Sequence, residues 1–478
     1  MKFRIYIAIM LIGGLVTSCS DFLEPDPSSA ITSENYYTTT AELQAAVIGA
    51  YDAIQGINSY DKLENHGIQY EFYVTEMRSG NTSTKIPDSD DASDAGQFES
   101  FNVLATNGFV KNYYNSYFQV IYRANVVLEN LGNVEGDTSA IEAEAKFIRA
   151  YAYFNLVRLF GDLPFIDRVI SPTEKEIQFT RVDKSLIYDL IVSDLTTAIS
   201  GLDNTYKTRG SKAAAQGLLA KVYLTLDTPN YTEAQSLCES IINSNEFDLE
   251  PSFYDVFYTE LNDEILFAVG FESVSDSQNY SAQFMNAVGQ SSGLNYATDD
   301  LVTSLNDFGG NRTEYSFRKD PVHLTSDRYQ CAKYFPDGDN GGSNGVFTGN
   351  PELAGNDWVV LRYSDILLLH VEAIMAGSEE TSSSSAITSF QKVRARAGIT
   401  DAVSKITLDE LLLERRVELA FENHRLFDLI RLGKAESVLS AYSTANGYGY
   451  TSTDLLLPIP QNEINLSDGV MSQNPGYN

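Results

Sequence analysis

Carboxylates recur every four residues near the carboxyl end of the chain, a pattern that could serve acid–base chemistry or hold an ion network. On a helix, Glu414, Glu418 and Glu422 would share one face, where like charges at this spacing repel one another. Arginines from this and other segments could neutralise them, and the apolar residues between the charges favour burial. We therefore predict a structural ion network that joins helices, formed by Arg149, Arg158, Arg362, Glu414, Arg415, Glu418, Glu422 and Arg425.

No pattern in the sequence favours catalysis. The four histidines, His66, His323, His370 and His424, form no HExxH pair or other zinc-ligand spacing. There is no GxSxG elbow and no phosphate-binding glycine loop. A glycosidase would need two carboxyl groups that flank the scissile bond with separated pKa values, which no sequence spacing can show. We expect a protein that is not an enzyme and has no catalytic residue.

Two acidic loops are incomplete as calcium sites. The stretch from Asp337 to Asn340 begins like a calcium-binding loop, but Thr348 stands where a bidentate glutamate is needed. Residues 88–94 form an acidic cluster without the spacing of metal ligands. We predict no metal site and no cofactor, and leave adventitious or structural calcium open at both loops.

Aromatic residues are frequent in two long stretches that lack helical periodicity, residues 56–112 and 245–358. Flat apolar rings pack on the faces of sugars, and planar polar groups bind sugar hydroxyls. Long connections without secondary structure are uncommon unless they bind something. These two insertions are therefore the places to expect a ligand, although packing is the alternative for any single tyrosine. The same two alternatives apply to Trp358, the only tryptophan of the chain.

Helical periodicity identifies the elements that must hold the insertions. It is clearest over residues 211–244, where small residues alternate with aromatic ones in two consecutive stretches, as in tetratricopeptide helix pairs. No Pro/Ser linker divides the chain, so we expect one domain over residues 19–478, all-α dominated and with little strand. The predicted pairs are 41–55/113–131, 143–160/184–200, 211–226/231–244 and 362–376/384–397.

The N-terminus has the composition of a secretory signal. Lys2 and Arg4 precede an apolar run that ends at Val16, too short to span a membrane, and a small residue precedes Cys19. We predict a signal peptide over residues 1–18 and acylation of Cys19, which would tether the mature protein to a membrane by its lipid alone. A plain signal peptide followed by an incidental cysteine is the alternative.

Charge and cysteine content restrict the partners. The formal charge is −32, and removal of Lys2 and Arg4 with the signal peptide makes it −34. Such a surface excludes nucleic acid as a partner and weighs mildly against strongly anionic polysaccharides, unless a local basic pocket overrides it. Cys238 and Cys331 could form a disulfide in an oxidising compartment, but a buried thiol is the default expectation for Cys238.

Several motifs, in order along nearly the whole mature chain, resemble the SusD/RagB family of outer-membrane nutrient-binding lipoproteins. They are DFLEPDP after Cys19, AEAKFIRAYAYFNLVRLFGDLP at 143–164, the stretch from LRYSDILLLHVEA to FQKVRARAG at 361–398, ERRVELAFENHRLFDLIRLG at 414–433, and the closing LPIPQNEINL and QNPGY. The resemblance implies a right-handed superhelix of four tetratricopeptide-like pairs. It also implies a lipid-anchored subunit at the cell surface that delivers its ligand to a SusC-like TonB-dependent transporter of the outer membrane.

The resemblance also implies where the ligand binds. Family sites lie near positions 77–84, which hold Arg78 and Asn81, and in the insertion before the fourth pair, which holds Tyr280 and Tyr296. Apart from Trp358 at the end of the second insertion, neither place contains tryptophan, which departs from the starch-binding prototype. The expected ligand is an oligo- or polysaccharide; a peptide, as for RagB-like members, and a scaffold that binds no ligand are the alternatives.

Overall fold

The computed structural model describes residues 36–59, 62–65, 67–85, 93–273, 279–284, 294–320, 328–335 and 354–477. The predicted signal peptide, Cys19, the loop at 337–348 and nearly all of the acidic cluster at 88–94 lie outside these ranges. The helices of the described part are α1 (Thr40–Gln55), α2 (Gly67–Thr75), α3 (Ser93–Glu99), α4 (Gly108–Asn130), α5 (Ser139–Phe160), α6 (Lys175–Phe179), α7 (Lys184–Gly201), α8 (Lys212–Thr225), α9 (Tyr231–Ser244), α10 (Asp255–Tyr258), α11 (Asp299–Phe308), α12 (Thr313–Ser316), α13 (Tyr363–Met375), α14 (Ser384–Arg396), α15 (Leu408–Glu418), α16 (Arg425–Arg431), α17 (Ala435–Asn446) and α18 (Gln461–Leu466).

The long helices pack on one another in the order of the predicted pairs. Within the pairs, α1 packs on α4, α5 on α7, α8 on α9 and α13 on α14. Between the pairs, α4 packs on α5, α7 on α8 and α9 on α13, so each pair covers an apolar face of the next. This arrangement confirms the predicted fold class, an all-α dominated chain of tetratricopeptide-like pairs.

Side-chain caps fix where several of these helices begin. Thr39 accepts a hydrogen bond from the N–H of Glu42, whose carboxylate accepts from the N–H of Thr39, a complete capping box for α1. Asn107, Ser211 and Asn230 cap α4, α8 and α9 in the same way, each with a side-chain oxygen. The predicted start at residue 113 is therefore too late, because Asn107 begins α4 at Gly108.

The strands of the described residues are short. They are β1 (Ile57–Ser59), β2 (Lys62–Asn65), β3 (Thr82–Ser83), β4 (Leu163–Pro164), β5 (Arg181–Val182), β6 (Ile265–Val269), β7 (Tyr296–Ala297), β8 (Phe317–Lys319), β9 (Tyr329–Cys331), β10 (Trp358–Arg362), β11 (Glu380–Thr381) and β12 (Ile406–Thr407). β3 of the first insertion pairs antiparallel with β7 of the second, in a four-stranded sheet of order β3-β7-β9-β8. The insertions therefore meet at one sheet, and β6 pairs with β10 beside it.

Both cysteines of the described residues are buried free thiols, Cys238 in α9 and Cys331 in β9. Burial raises the pKa of both thiols. The pairing of Cys238 with Cys331, which the sequence left open, is not formed. No helix within the described ranges combines the length and the apolar composition needed to cross a membrane.

Candidate ligand-binding site

Glu418 lies at the centre of a buried ion network. Its carboxylate accepts hydrogen bonds from Arg312 at 2.7 Å, from Arg362 at 2.5 Å and from Arg396. Burial alone would raise the pKa of Glu418, but the three guanidinium groups hold it well below its ordinary value. The Glu418 network comprises Glu264, Arg312, Lys333, Arg362, Arg396, Glu414, Glu418 and Glu422.

A second group of charges includes Arg415 of α15. Arg415 donates to Asp365 at 2.9 Å and to Asp428 at 2.8 Å, and Arg431 donates to Asp428 at 2.8 Å. Lys221 pairs with Asp365 at 2.7 Å. Helices α8, α13, α15 and α16 are thus joined through buried charge pairs, which are costly to break because a remaining partner would stay buried without compensation.

Three of the predicted network residues lie elsewhere. Arg149 forms its own bidentate pair with Asp194 of α7, at 2.7 and 2.9 Å. Arg158 forms no ion pair with a described residue; its guanidinium lies over the ring of Phe427, 3.7 Å from the centroid. Arg425 likewise has no described carboxylate partner. The prediction is wrong for these arginines, because helical spacing does not show which neighbouring helix each side chain faces.

Three basic residues and one acid of the network were missed. Arg396 lies in the motif FQKVRARAG, where its neighbour Arg394 looked equivalent in sequence. Arg312 and Lys333 lie in the second insertion, and Glu264 lies beside β6, where no local pattern distinguishes a buried charge from a solvated one. Their role follows from the way the insertion folds back on α15.

The five predicted ligand-contacting side chains are in the core. Arg78, Asn81, Tyr280, Tyr296 and Trp358 are each between 0% and 3% exposed. Arg78 donates to the carbonyl of Val74, and the hydroxyl of Tyr280 donates to the carbonyl of Asp357 at 2.7 Å. Because these side chains fill the interior, they offer no surface to a ligand in this structure.

A cleft of about 760 Å³ opens where the two insertions meet the C-terminal helices. We call it the insertion cleft. The segment at 77–84 forms one edge, the start of α11 forms another, and α17 forms the opposite wall. Its lining residues are Ser79, Gly80, Ser83, Lys85, Glu99, Thr298, Asp299, Asp300, Arg416, Arg425, Ser437, Val438, Ala441, Tyr442, Ala445, Asn446 and Tyr448. Residues from both predicted ligand regions thus line one surface.

Gly80 and Thr298 hold the two insertions together at this cleft. Gly80 has φ 77°, a left-handed conformation that favours glycine, and an added Cβ would lie 3.3 Å from the ring of Tyr442. Thr298 caps α11 by accepting from the N–H of Leu301, and its hydroxyl donates to the carbonyl of Gly80 at 2.8 Å. The N–H of Thr298 donates to the carbonyl of Asn81 at 2.9 Å.

Asn81 acts behind the cleft, as a support for Arg416. Its amide nitrogen donates to Glu76 at 3.0 Å, and its amide oxygen accepts from Nε of Arg416 at 3.0 Å. Glu76 also accepts from the N–H of Asn423 at 2.7 Å. Burial raises the pKa of Glu76 to about 7 despite these hydrogen bonds. Asn81 therefore positions a guanidinium group at the cleft wall.

The wall of the insertion cleft combines aromatic rings with charged and amide groups. The rings of Tyr442 and Tyr448 lie 6.0 Å apart between centroids and are tilted by 56°. Lys85 pairs with Asp299 at 2.9 Å, and Arg416 pairs with Asp300 at 2.7 Å. Rings beside planar polar groups are the arrangement that binds sugar faces and hydroxyls.

Other clefts lie elsewhere in the described part of the molecule, and two of them are comparable in size to the insertion cleft. One of about 660 Å³ lies between α1 and β6, with Tyr51, Phe271 and Asp357 in its wall. Burial raises the pKa of Asp357 to about 6, and the nearby Glu260 adds to this effect. The other, of about 550 Å³, lies between α5 and the C-terminal segment. In the ranges that the structure describes, no group of three or more His, Cys, Asp or Glu side chains is placed to hold a metal ion.

Comparison with known proteins relates the chain to one family at both ends. Residues 324–477 match the family described as "SusD family", and residues 21–224 match the family described as "Starch-binding associating with outer membrane". The chain belongs to the SusD/RagB family. SusD-like protein P2 of Formosa agariphila is 27% identical over the whole of both chains. A SusD-like protein of Bacteroides ovatus is 24% identical, covering 87% of this chain and 80% of its own.

Solved structures of SusD-like proteins share the fold. A "Laminarin binding SusD-like protein" matches with a TM-score of 0.74 and 24% identity, over 92% of this chain and 100% of its own. Surface glycan-binding protein A from Bacteroides thetaiotaomicron, in complex with laminarihexaose, matches with a TM-score of 0.74 and 20% identity, over 91% of this chain and 100% of its own. At this level of identity the likeness concerns the fold.

Proposed function

We propose that this SusD/RagB member is a binding subunit that captures an oligo- or polysaccharide and delivers it to a SusC-like TonB-dependent transporter. The observation that carries the proposal is the insertion cleft, in which tilted tyrosine rings lie beside charged and amide groups. Its volume of about 760 Å³ is within the range of about 300–1,000 Å³ that is usual for small-ligand sites. The laminarihexaose complex of a protein with this fold supports a glycan as the ligand class.

The proposed ligand surface has rings and polar groups that would fix the orientation of a bound sugar chain. Tyr442 and Tyr448 offer rings in two planes, so that consecutive sugar units of a twisted chain could pack on both. Asn446 and Ser437 project from the same helix wall, and Asp299 and Asp300 lie at the start of α11 opposite it. Such groups bind hydroxyls, and none of them forms a constellation for bond cleavage. Capture without hydrolysis is therefore the proposed activity.

The location of the protein is part of the proposal. The family description associates its members with the outer membrane. The predicted lipid on Cys19 would hold the chain there, and a surface with a formal charge near −32 would keep it soluble outside the bilayer. Delivery to a transporter rests on membership of the family and would be seen as co-purification of this chain with an outer-membrane barrel.

The test is affinity electrophoresis of residues 20–478 in native gels that contain neutral, acidic or host-derived polysaccharides. We expect at least one polymer to retard the protein, and Tyr442→Ala to weaken that retardation by about tenfold in affinity, as for loss of roughly 1.4 kcal/mol of ring contact. The matched control is Tyr206→Ala, because Tyr206 is a 50% exposed ring outside the cleft. Equal retardation of wild type and Tyr442→Ala would contradict binding in this cleft.

The two alternatives give different results in the same experiment. A peptide-capturing subunit would show no retardation by any polysaccharide, but would bind peptides in a Tyr442-dependent manner. A scaffold would bind neither and would still co-purify with the barrel. New reducing ends in the presence of protein would contradict capture without hydrolysis.

A further inference from the structure

Arg425 differs from the other buried arginines around α15. It is only 8% exposed, and its Nε has no hydrogen-bond partner among the residues that the structure describes. Nη1 reaches the carbonyl of Leu412 at 3.5 Å, a long contact, and no described residue forms an ion pair with it. By contrast, Arg362, Arg415 and Arg416 each pair with at least one carboxylate. Among the described residues, Arg425 is thus a buried cation with no ion-pair partner. Asp428 and Asp300, which act on it at longer range, are paired with other arginines.

This cation lines the insertion cleft next to a second one. Arg416 and Arg425 both contribute to the cleft wall. Burial, and then the charge of Arg416, lower the pKa of Arg425 to about 9, so it stays protonated at neutral pH. An uncompensated buried charge is unfavourable for the folded state, and a cleft that keeps one is a candidate for binding the opposite charge.

The remaining charges of the cleft are already satisfied. Lys85 is paired with Asp299, and Arg416 with Asp300. Glu99 accepts hydrogen bonds from the N–H and the hydroxyl of Thr84. The cleft can therefore neutralise one further negative charge, at Arg425. The groups around this position include carboxylates, which would repel additional negative charges. A densely charged polyanion would meet these acids, whereas one acidic group on an otherwise neutral segment would not.

We propose that Arg425, with Arg416 beside it, binds an anionic substituent of the captured glycan, the carboxylate of a uronic acid or a sulfate ester. The inference rests on the proposed function and names the substrate class of that site. A guanidinium group offers planar, parallel donors that match both anions, and charge-assisted bonds of this kind are roughly twice as strong as neutral ones. It also supplies the local basic pocket that a protein of this net charge would need to bind an acidic sugar.

The experiment compares polymers that differ only in charge. Polygalacturonate is paired with its methyl ester, and κ-carrageenan with its desulfated form, in affinity gels of residues 20–478. A salt concentration of about 0.15 M, where the Debye length is about 8 Å, screens repulsion from the distant acidic surface but leaves contact pairs intact. We expect the protein to be retarded more strongly by the charged member of one pair, by about tenfold in affinity. A preference within the polygalacturonate pair would indicate a carboxylate, and a preference within the carrageenan pair would indicate a sulfate ester.

Variants connect the preference to Arg425. We expect Arg425→Gln to abolish the preference for the charged member, and Arg425→Lys to keep part of it. The matched control is Arg168→Gln, which removes one positive charge at an exposed site paired with Glu174 and should keep the full preference. If Arg425→Gln does not fold, a reduced preference in Arg425→Lys supports the inference, and absence of any preference in wild-type protein overturns it.

The possible results separate this inference from the proposed function. Equal retardation by charged and uncharged members, lost in Tyr442→Ala, would overturn the anion site while supporting glycan capture. A preference that survives in Arg425→Gln would also overturn it. Absence of retardation by every polymer, or binding of an acidic peptide in their place, would overturn both proposals.

Discussion

At the scale of single residues, burial decides what each charge can do. Glu418 is surrounded by three guanidinium groups and stays ionised, whereas Glu76, with hydrogen bonds from neutral groups, has a raised pKa. Arg362 forms ion pairs with Glu264, Glu418 and Glu422, whereas Arg425 forms none with a described residue. The same residue types therefore serve as structural locks in one place and as a candidate binding group in another.

Loss of Arg362 should destabilise the fold strongly. Arg362→Met leaves Glu264, Glu418 and Glu422 with less compensation in the core, and we expect the free energy of unfolding to fall by about 3–5 kcal/mol. Equilibrium urea unfolding measures it. The control is Lys405→Met at the exposed pair with Glu380, which should leave the urea midpoint unchanged. Similar effects of both substitutions would show that the Glu418 network contributes little.

Glu76 should make stability depend on pH between its two pKa values. The pKa is about 7 in the folded state and 4.5 as the ordinary value, so in this window the folded protein holds a proton that the unfolded chain has lost. Protonated Glu76 contributes to the free energy of unfolding by an amount on the order of 3 kcal/mol. This contribution is complete below pH 4.5 and is lost as the pH rises through about 7. Unfolding free energies of wild type and Glu76→Gln, measured from pH 4.5 to 8, should diverge in favour of the variant as pH rises. Parallel curves would contradict the raised pKa.

The sequence predicts which residue types are involved better than where they lie. The carboxylates on one helix face indicated that arginines must lie close to them. Arg362 does, because it pairs with Glu418 and Glu422. The family resemblance assigns Tyr280 to a ligand region, and the sequence leaves both packing and ligand contact open for Trp358. Their rings instead pack together, with centroids 5.4 Å apart. A high density of aromatic residues is compatible with either role, and only the three-dimensional neighbours separate the two.

At the scale of elements, the turn Gly310–Arg312 carries a network residue to its partners. The N–H of Asn311 donates to the carbonyl of Ala397 at 3.0 Å, and its side-chain amide donates to the carbonyl of Arg396 at 2.9 Å. Gly310 has φ 61°, and an added Cβ would lie 2.2 Å from the carbonyl oxygen of Ala397. Only glycine allows the turn to approach the end of α14 so closely, which brings Arg312 to Glu414 and Glu418.

Gly310→Ala should therefore cost more than an ordinary glycine substitution. The control is Gly433→Ala, since Gly433 has φ 68° but no atom within 4 Å of an added Cβ. Both variants carry the strain of a left-handed conformation, about 1–2 kcal/mol, and only Gly310→Ala adds a backbone clash. We expect Gly310→Ala to lower the unfolding free energy by about 1–3 kcal/mol more than the control, measured in urea. Equal costs would show that the close approach is not needed.

Most of the long helices could be predicted from local patterns, but helix α2 and the pairing of β3 with β7 could not. The four pairs follow from periodic apolar and small residues that face neighbours close in sequence. α2 lies inside the insertion predicted to be loop, and all its residues from Gly67 to Thr75 are buried. A helix buried on every side has no polar face and so lacks the amphipathic period that identifies a helix. The pairing of β3 with β7 was out of reach because it joins residues more than 200 positions apart.

At the scale of the whole molecule, the candidate site is assembled from distant parts of the chain. The insertion cleft takes residues from 79 to 448, and neither insertion forms it without α15, α16 and α17. The sequence indicated the two regions, 77–84 and the second insertion, but not the third wall, because Tyr442 and Tyr448 lie in a segment without a distinctive motif. The ion networks on α15 and α16 hold this wall in place, which connects the stability of the fold to the shape of the site.

The lipid anchor is a prediction for the whole molecule in its cell. We expect Cys19→Ala to move the protein from the membrane fraction to the soluble fraction, because acyl chains contribute about 0.8 kcal/mol per buried methylene and no described helix replaces them. Fractionation of cells that produce wild type or Cys19→Ala measures it. Unchanged fractionation with membranes would contradict acylation of this cysteine.

The most direct test of glycan capture in the insertion cleft is a crystal structure of residues 20–478 with an oligosaccharide from the polymer that retards the protein. We expect sugar rings in contact with Tyr442 and Tyr448, and an acidic substituent at hydrogen-bonding distance from Arg425. A sugar bound instead in the cleft lined by Tyr51 and Phe271, with the insertion cleft holding none, would contradict it.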